Sequence, residues 1–273
     1  MKFALLYFSG TGVTAKFATE IATGLQELNH TVDLVRLKRS VNIDLSSYDI
    51  IGIGSPAYSF RIPWLVSKIL HKIDFNKKPF FVFCTSGGMS GNALWNLYRV
   101  VCRSTGPCLG SVQGAGITNL RSWMPRVNEE KPILWGLSEA YCNNARKFGS
   151  LVIGRLKEWQ INPTIKQENQ WKPRFSLQVI VWSLLFTWRW QMAATVGIKR
   201  INKVKCIKCG LCATKICSSG AITMDKDQFP KINEWKCVGC NGCVNLCPED
   251  AIWSYLTRKH IQYNLYKEFI LNK

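Results

Sequence analysis

Residues Leu5–Ile21 read LLYFSGTGVTAKFATEI. An apolar run, Phe3–Phe8, has the length of a buried strand. It breaks at Ser9 and Gly10, and from Thr14 the pattern turns helical. Ser9, Thr11 and Thr14 offer hydroxyls between the two elements, and Gly10 and Gly12 let the backbone come close. The amides that open the helix, from Val13 on, face the same point. Hydroxyls, bare backbone and a helix N-terminus together make a phosphate site. No lysine follows a glycine as in the P-loop, and no G-x-G-x-x-G occurs, so ATP and dinucleotides are disfavoured.

Outward from this stretch the first half alternates strands and helices. The strands read Phe3–Phe8, Thr31–Leu37, Asp49–Gly54, Pro79–Cys84 and Ser111–Ile117. The helices read Thr14–Leu28, Ile62–Ile73, Ser90–Ser104 and Lys131–Trp159. Continuous apolar strands between helices predict an α/β fold, a doubly wound five-stranded parallel sheet, over residues 1–158. Residues 159–197 read as a linker, bracketed by Pro163 and Pro173, then an apolar helix, Phe175–Trp188. That run is short for a spanning helix and reads as packed between domains. The alternative is a peripheral membrane contact through residues 175–190, rich in tryptophan.

Eight of the 12 cysteines fall between Cys206 and Cys247, in a small α+β domain over residues 198–255. A basic, aromatic tail, residues 256–273, follows. CIKCGLCATKICSSGAI at Cys206 returns as CVGCNGCVNLCPEDAI at Cys237. Cys237, Cys240, Cys243, Cys247 and Pro248 fit C-x₂-C-x₂-C-x₃-C-P, the spacing by which three thiolates wrap one corner of an iron–sulfur cubane. Structural zinc uses pairs of ligands instead. The remaining cysteines, Cys84, Cys102, Cys108 and Cys142, read as small buried hydrophobes. His30, His71 and His260 form no triad or ligand set, so no catalytic residue is expected. Clustered cysteines in a chain of 273 residues point to metal and a reducing compartment, and Met1–Phe8 is too short for a signal peptide. A cytoplasmic location is the expectation.

The cysteine-rich segment resembles two-cluster bacterial ferredoxins. The resemblance implies an exchange of ligands, with Cys206, Cys209, Cys212 and Cys247 on one [4Fe–4S] cluster and Cys237, Cys240, Cys243 and Cys217 on the other. The first motif departs from the pattern: four residues precede Cys217, and Ser218 stands where proline is expected. A one-residue bulge accommodates this, or the cluster that depends on Cys217 is held more loosely. On the second reading it is lost first.

LLYFSGTGVTAKFATEI resembles the flavodoxin signature. The resemblance implies bound FMN, with Ser9, Thr11, Gly12 and Thr14 at the phosphate. It places GSPAY, with Pro56, Ala57 and Tyr58, and TSGG, with Ser86, Gly87 and Gly88, at the ring. Tyr58 could stack on the flavin or serve as a rim tyrosine. The whole chain resembles the flavodoxin–ferredoxin fusions of anaerobes, which implies electron transfer between FMN and the clusters. A flavin-dependent reductase fed by the clusters is the alternative. The formal charge is +19, or about +13 with cofactors counted at roughly −2 each. It suits acidic redox proteins as partners, with Lys205, Lys208, Lys215 and Lys236 beside cluster ligands. No nucleic-acid motif appears.

Overall fold

The structure is a computed structural model and describes residues 1–40, 42–116, 136–162, 171–180, 196–257 and 264–272. Five parallel strands, β1 (Lys2–Tyr7), β2 (Thr31–Arg36), β3 (Ile50–Pro56), β4 (Phe80–Ser86) and β5 (Cys108–Ala115), form a sheet of order β2-β1-β3-β4-β5. That is the flavodoxin-like doubly wound order, which puts its switch point between β1 and β3.

The strands read as unbroken apolar runs because both faces are covered. Phe3, Leu5 and Tyr7 enter one core, with Phe81 and Phe83, under α1 (Val13–Gln26) and α4 (Glu139–Ile161). Their alternates Ala4, Leu6 and Phe8 enter the other, with Phe80 and Val82, under α2 (Trp64–Leu70) and α3 (Ala93–Val101). Two-residue periodicity thus feeds two cores from one strand.

Element ends differ from the sequence reading for local reasons. The last helix of this domain starts at Glu139, not Lys131, because the Ser138 side chain caps it by accepting from the Tyr141 amide. Residues 131–135 lie outside the described residues. The fifth strand starts earlier than Ser111, since Cys108 and Leu109 are buried and extend it. The second helix starts at Trp64, after the extended Pro63. Most of the apolar run 175–188 lies outside the described residues. Phe175 packs on Trp95, ring centroids 5.7 Å apart, and Ser176 exchanges two hydrogen bonds with the Asn92 side chain, both 2.9 Å.

The second domain has two small antiparallel pairs, β6 (Arg200–Ile201) with β9 (Ile252–Trp253) and β7 (Ile222–Met224) with β8 (Pro230–Ile232). The expected tail folds back as a strap. Tyr266 and Phe269 pack on the first domain's core, while Ile270 is buried in the second. Among the described residues no helix is long and apolar enough to cross a membrane.

Candidate redox site

The extra residue of the first cysteine motif is taken up by a π-helical turn, Cys212–Ile216, in which the Cys217 amide donates to the Cys212 carbonyl at 3.1 Å. A π turn holds one more residue than an α turn. In the second motif the same place is an α turn, Gly242–Asn245. The repeat is thus conserved in shape around an inserted residue.

The thiols gather in two sets around two cavities. Cys206, Cys209, Cys212 and Cys247 line one; Cys217, Cys237, Cys240 and Cys243 line the other. These are the crossed sets implied by the ferredoxin resemblance. Among the described residues no three His, Cys, Asp or Glu side chains close on one point as around a single metal ion.

The donor chemistry fits iron–sulfur clusters. Burial pushes the Cys212 thiol up to about 11 and Cys240 up to about 12, with neighbouring thiols of each set adding to the shift. Four crowded thiolates are stable only around a cationic core. Amides already point at sulfur: Ala221 donates to Cys217 Sγ and Ala251 to Cys247 Sγ, both at 3.3 Å. The Ser218 hydroxyl, buried at the second cavity and without a hydrogen-bond partner among the described residues, could donate to a sulfur held there.

The two cavities differ in setting. Cys209 of the first set is exposed, amid exposed Val204, Ile207 and Lys208. In the second set Cys243 is buried and the other three are partly buried. This inner set abuts the first domain. A Cβ on Gly10 would lie 2.7 Å from Cys240 Cβ, and one on Gly242 would lie 2.6 Å from the Gly10 carbonyl oxygen. The bare face of Gly10 therefore meets a cysteine of the inner set.

The candidate phosphate loop is buried at Ser9, Thr11 and Thr14. Gly12 turns it with φ +103, which disfavours other residues. The Gly12 amide donates to Ser9 Oγ at 3.1 Å, and Thr14 Oγ1 lies 2.8 Å from Thr85 Oγ1. Helix α1 has no side-chain cap and no acid in its first turn, starting at Val13, so its N-terminus suits an anion. The Tyr266 backbone crosses the bare face of Gly12, and its hydroxyl accepts from the Leu137 amide at 2.9 Å. These residues fit an FMN phosphate.

The ring loops lie beyond. Pro56 ends β3, and the Ala57 amide donates to the Thr85 carbonyl at 2.8 Å. Tyr58 and Arg61 exchange backbone hydrogen bonds around Ser59 and Phe60, both with positive φ. The Tyr58 hydroxyl reaches Gly10, 3.0 Å from where its Cβ would be. Gly87 and Gly88 are exposed, and Ser86 is partly so. Sequence reasoning missed Arg36, Lys199 and Tyr266, none of which carries a local signal, and it took in Thr85 only as part of the TSGG stretch.

Residues 4–94 match the flavodoxin domain family and residues 199–253 the 4Fe-4S dicluster domain family. The B chain of anaerobic dimethyl sulfoxide reductase from Haemophilus influenzae is 43% identical over 49 residues, 16% of this chain and 24% of that protein. The chain thus spans about a quarter of the length of the curated relative it matches. A flavodoxin from the domain Archaea is 16% identical over 57% of this chain and 99% of its own, with a TM-score of 0.45. Flavodoxin 2 from Bacillus cereus is 18% identical over the same shares, with a TM-score of 0.42.

Two redox domains in one chain define an electron-transfer protein. The chain is a flavodoxin–ferredoxin fusion, its flavodoxin domain at the N-terminal side and its 4Fe-4S dicluster domain at the C-terminal side. The first domain implies FMN, and the second implies iron–sulfur cofactors.

Proposed function

We propose that this chain relays electrons between one FMN and two [4Fe–4S] clusters. The observation that carries the reading is the contact of Gly10, in the phosphate loop, with Cys240, in the inner thiol set. FMN exchanges one or two electrons and each cluster one, so the pair divides a two-electron step into single ones. The chain's own residues bind and place these groups. Ser9, Thr11 and Thr14 with the α1 amides hold the phosphate, and loops 56–58 and 86–88 flank the ring. The two thiol sets hold the clusters, the inner against the flavin loop and the outer at the surface.

The outer rim suits an acidic redox protein in the cytoplasm. Lys203, Lys205 and Lys208 are exposed beside Cys206 and Cys209, with Val204 97% exposed among them. A second reading, reduction of a small molecule at the flavin, is favoured by the exposure of Gly87, Gly88 and Met89 at the ring loop.

Anaerobic purification followed by flavin, iron and sulfide analysis tests the relay. One FMN, eight irons and eight sulfides per chain are expected from two cubanes. Stoichiometric zinc without acid-labile sulfide would rule the reading out.

A further inference from the structure

Arg36 ends β2 and is only 7% exposed. Its Nη1 donates to the carbonyls of Lys215, at 2.8 Å, and Ile270, at 3.4 Å. Its Nη2 donates to those of Ile216, at 2.9 Å, and Ser9, at 3.3 Å. One guanidinium thus ties together the π turn that carries Cys217, the flavin phosphate loop and the C-terminal strap.

All four partners are backbone carbonyls, and among the described residues no carboxylate pairs with Arg36. Dipoles leave the charge of a buried cation uncompensated, which is costly unless a negative group stands nearby. The Ile216 carbonyl it holds immediately precedes Cys217, and the Ser9 carbonyl it holds immediately precedes Gly10, whose bare face meets Cys240. Lys199, the buried cation that lines the inner cavity itself, pairs with Glu234, 3.2 Å away. At the outer cavity Lys208 is exposed and screened by solvent, and Glu249 lines the same cavity. The buried positive charge without a carboxylate partner therefore lies on the side of the inner set, while the lysines of the outer rim are exposed to solvent.

We propose that Arg36 is a positioning residue that seats the inner cluster against the flavin loop, and that its charge makes the inner cluster easier to reduce than the outer. An electron delivered to the outer cluster by a reduced redox protein then passes inward: one centre loses one electron, the other gains it, and no bond or proton moves. The proposal rests on the two-cluster reading.

The test is an EPR-monitored redox titration of the anaerobic holoprotein, with Cys209→Ser used to assign the outer signal. Arg36→Gln keeps an amide for the carbonyls but drops the charge. Arg36→Lys keeps the charge but loses the fork. The wild type should reduce its inner cluster first. Arg36→Gln should lower the inner reduction equilibrium at least tenfold, 59 mV for one electron, and leave the outer cluster unmoved. Arg36→Lys should hold the inner potential near the wild-type value. Equal movement of both clusters, no movement in Arg36→Gln, or a loss in Arg36→Lys as large as in Arg36→Gln would overturn the proposal. If Arg36→Gln sheds its iron, Arg36→Lys decides alone, since a charge effect requires its inner potential to stay. Fewer than eight irons in the wild type would instead sink the two-cluster reading.

Discussion

Gly10 and Cys240 meet across the domain junction so closely that a single methyl group on Gly10 would fall 2.7 Å from Cys240 Cβ and 3.2 Å from its carbonyl oxygen. The candidate phosphate loop therefore touches the inner thiol set directly. The closeness needs a residue without a side chain.

Gly10→Ala should push the loop and the inner set apart. Overpacking of this kind costs about 1–3 kcal/mol. Urea denaturation should show that loss, and rapid-mixing reduction should show slower electron exchange between flavin and clusters. Flavin content should be retained. Unchanged stability and exchange would mean that the contact relaxes freely.

Removing two hydroxyls from the phosphate loop gives a separate readout. Thr11→Ala with Thr14→Ala should weaken FMN binding at least tenfold, since hydrogen bonds to a charged group are worth about 1.5–3 kcal/mol each. Iron content should not change, because neither side chain lines a thiol cavity. Flavin fluorescence titration measures the first effect and iron analysis the second. An unchanged affinity would move the phosphate elsewhere.

The parts of this arrangement that follow local rules were legible in the sequence. Cysteine spacing named the eight thiols, and apolar runs of strand length placed the five strands. Parts made by distant residues left no pattern. Arg36 looks like any strand-end arginine until the π turn at Cys212–Ile216 arrives with its carbonyls from some 180 positions away. Tyr266 likewise belongs to what reads as a basic tail, and only its place over Gly12 reveals the strap. Gly10 was legible as a close approach, but the sequence pointed to phosphate and the bare face meets Cys240.

Glu20 joins α1 to α4 and should make the flavodoxin domain sensitive to acid. Its carboxylate is buried between Lys16 and Arg146, the latter at 2.6 Å. Burial works against ionisation, but the hydrogen bonds from Lys16 and Arg146 outweigh it and hold the group below the usual range. A depressed folded value means stability that is present above the unfolded value, about pH 4.3, and is lost as pH falls through the folded one. Glu20→Gln should cost about 1–2 kcal/mol at pH 7, between the values for exposed and buried pairs, because both cations remain partly exposed. The difference in Tm between the two chains should shrink as pH drops below about 4.3. A gap that stays constant down to acid pH would remove Glu20 from the acid response.

The order in which oxygen takes the clusters is the remaining expectation, and the structure argues for the opposite order to the one drawn from the sequence. A serine in place of proline after Cys217, with one extra residue before it, suggested a loose ligand for the inner cluster. The extra residue is instead ordered in the π turn, whose Lys215 and Ile216 carbonyls are held by Arg36. Ser218 is buried, and its carbonyl accepts from the Arg39 amide at 2.9 Å, so the flavodoxin domain supplies the restraint that proline would have given. Among the described residues the outer set has no such cover: Cys209 is exposed and Val204 beside it is 97% exposed. Oxidants and chelators reach a cluster through its exposed edge, and reactivity at sulfur follows access. The cluster held by Cys206, Cys209, Cys212 and Cys247 should therefore be lost first, leaving a chain with four irons and its flavin. Mössbauer and EPR spectra recorded during timed exposure to air would separate the two signals. Arg39→Pro, which removes the amide that holds Ser218, should bring the two losses closer together. Simultaneous loss in the wild type, or earlier loss of the cluster on Cys217, would show that local turn chemistry outweighs burial at this junction.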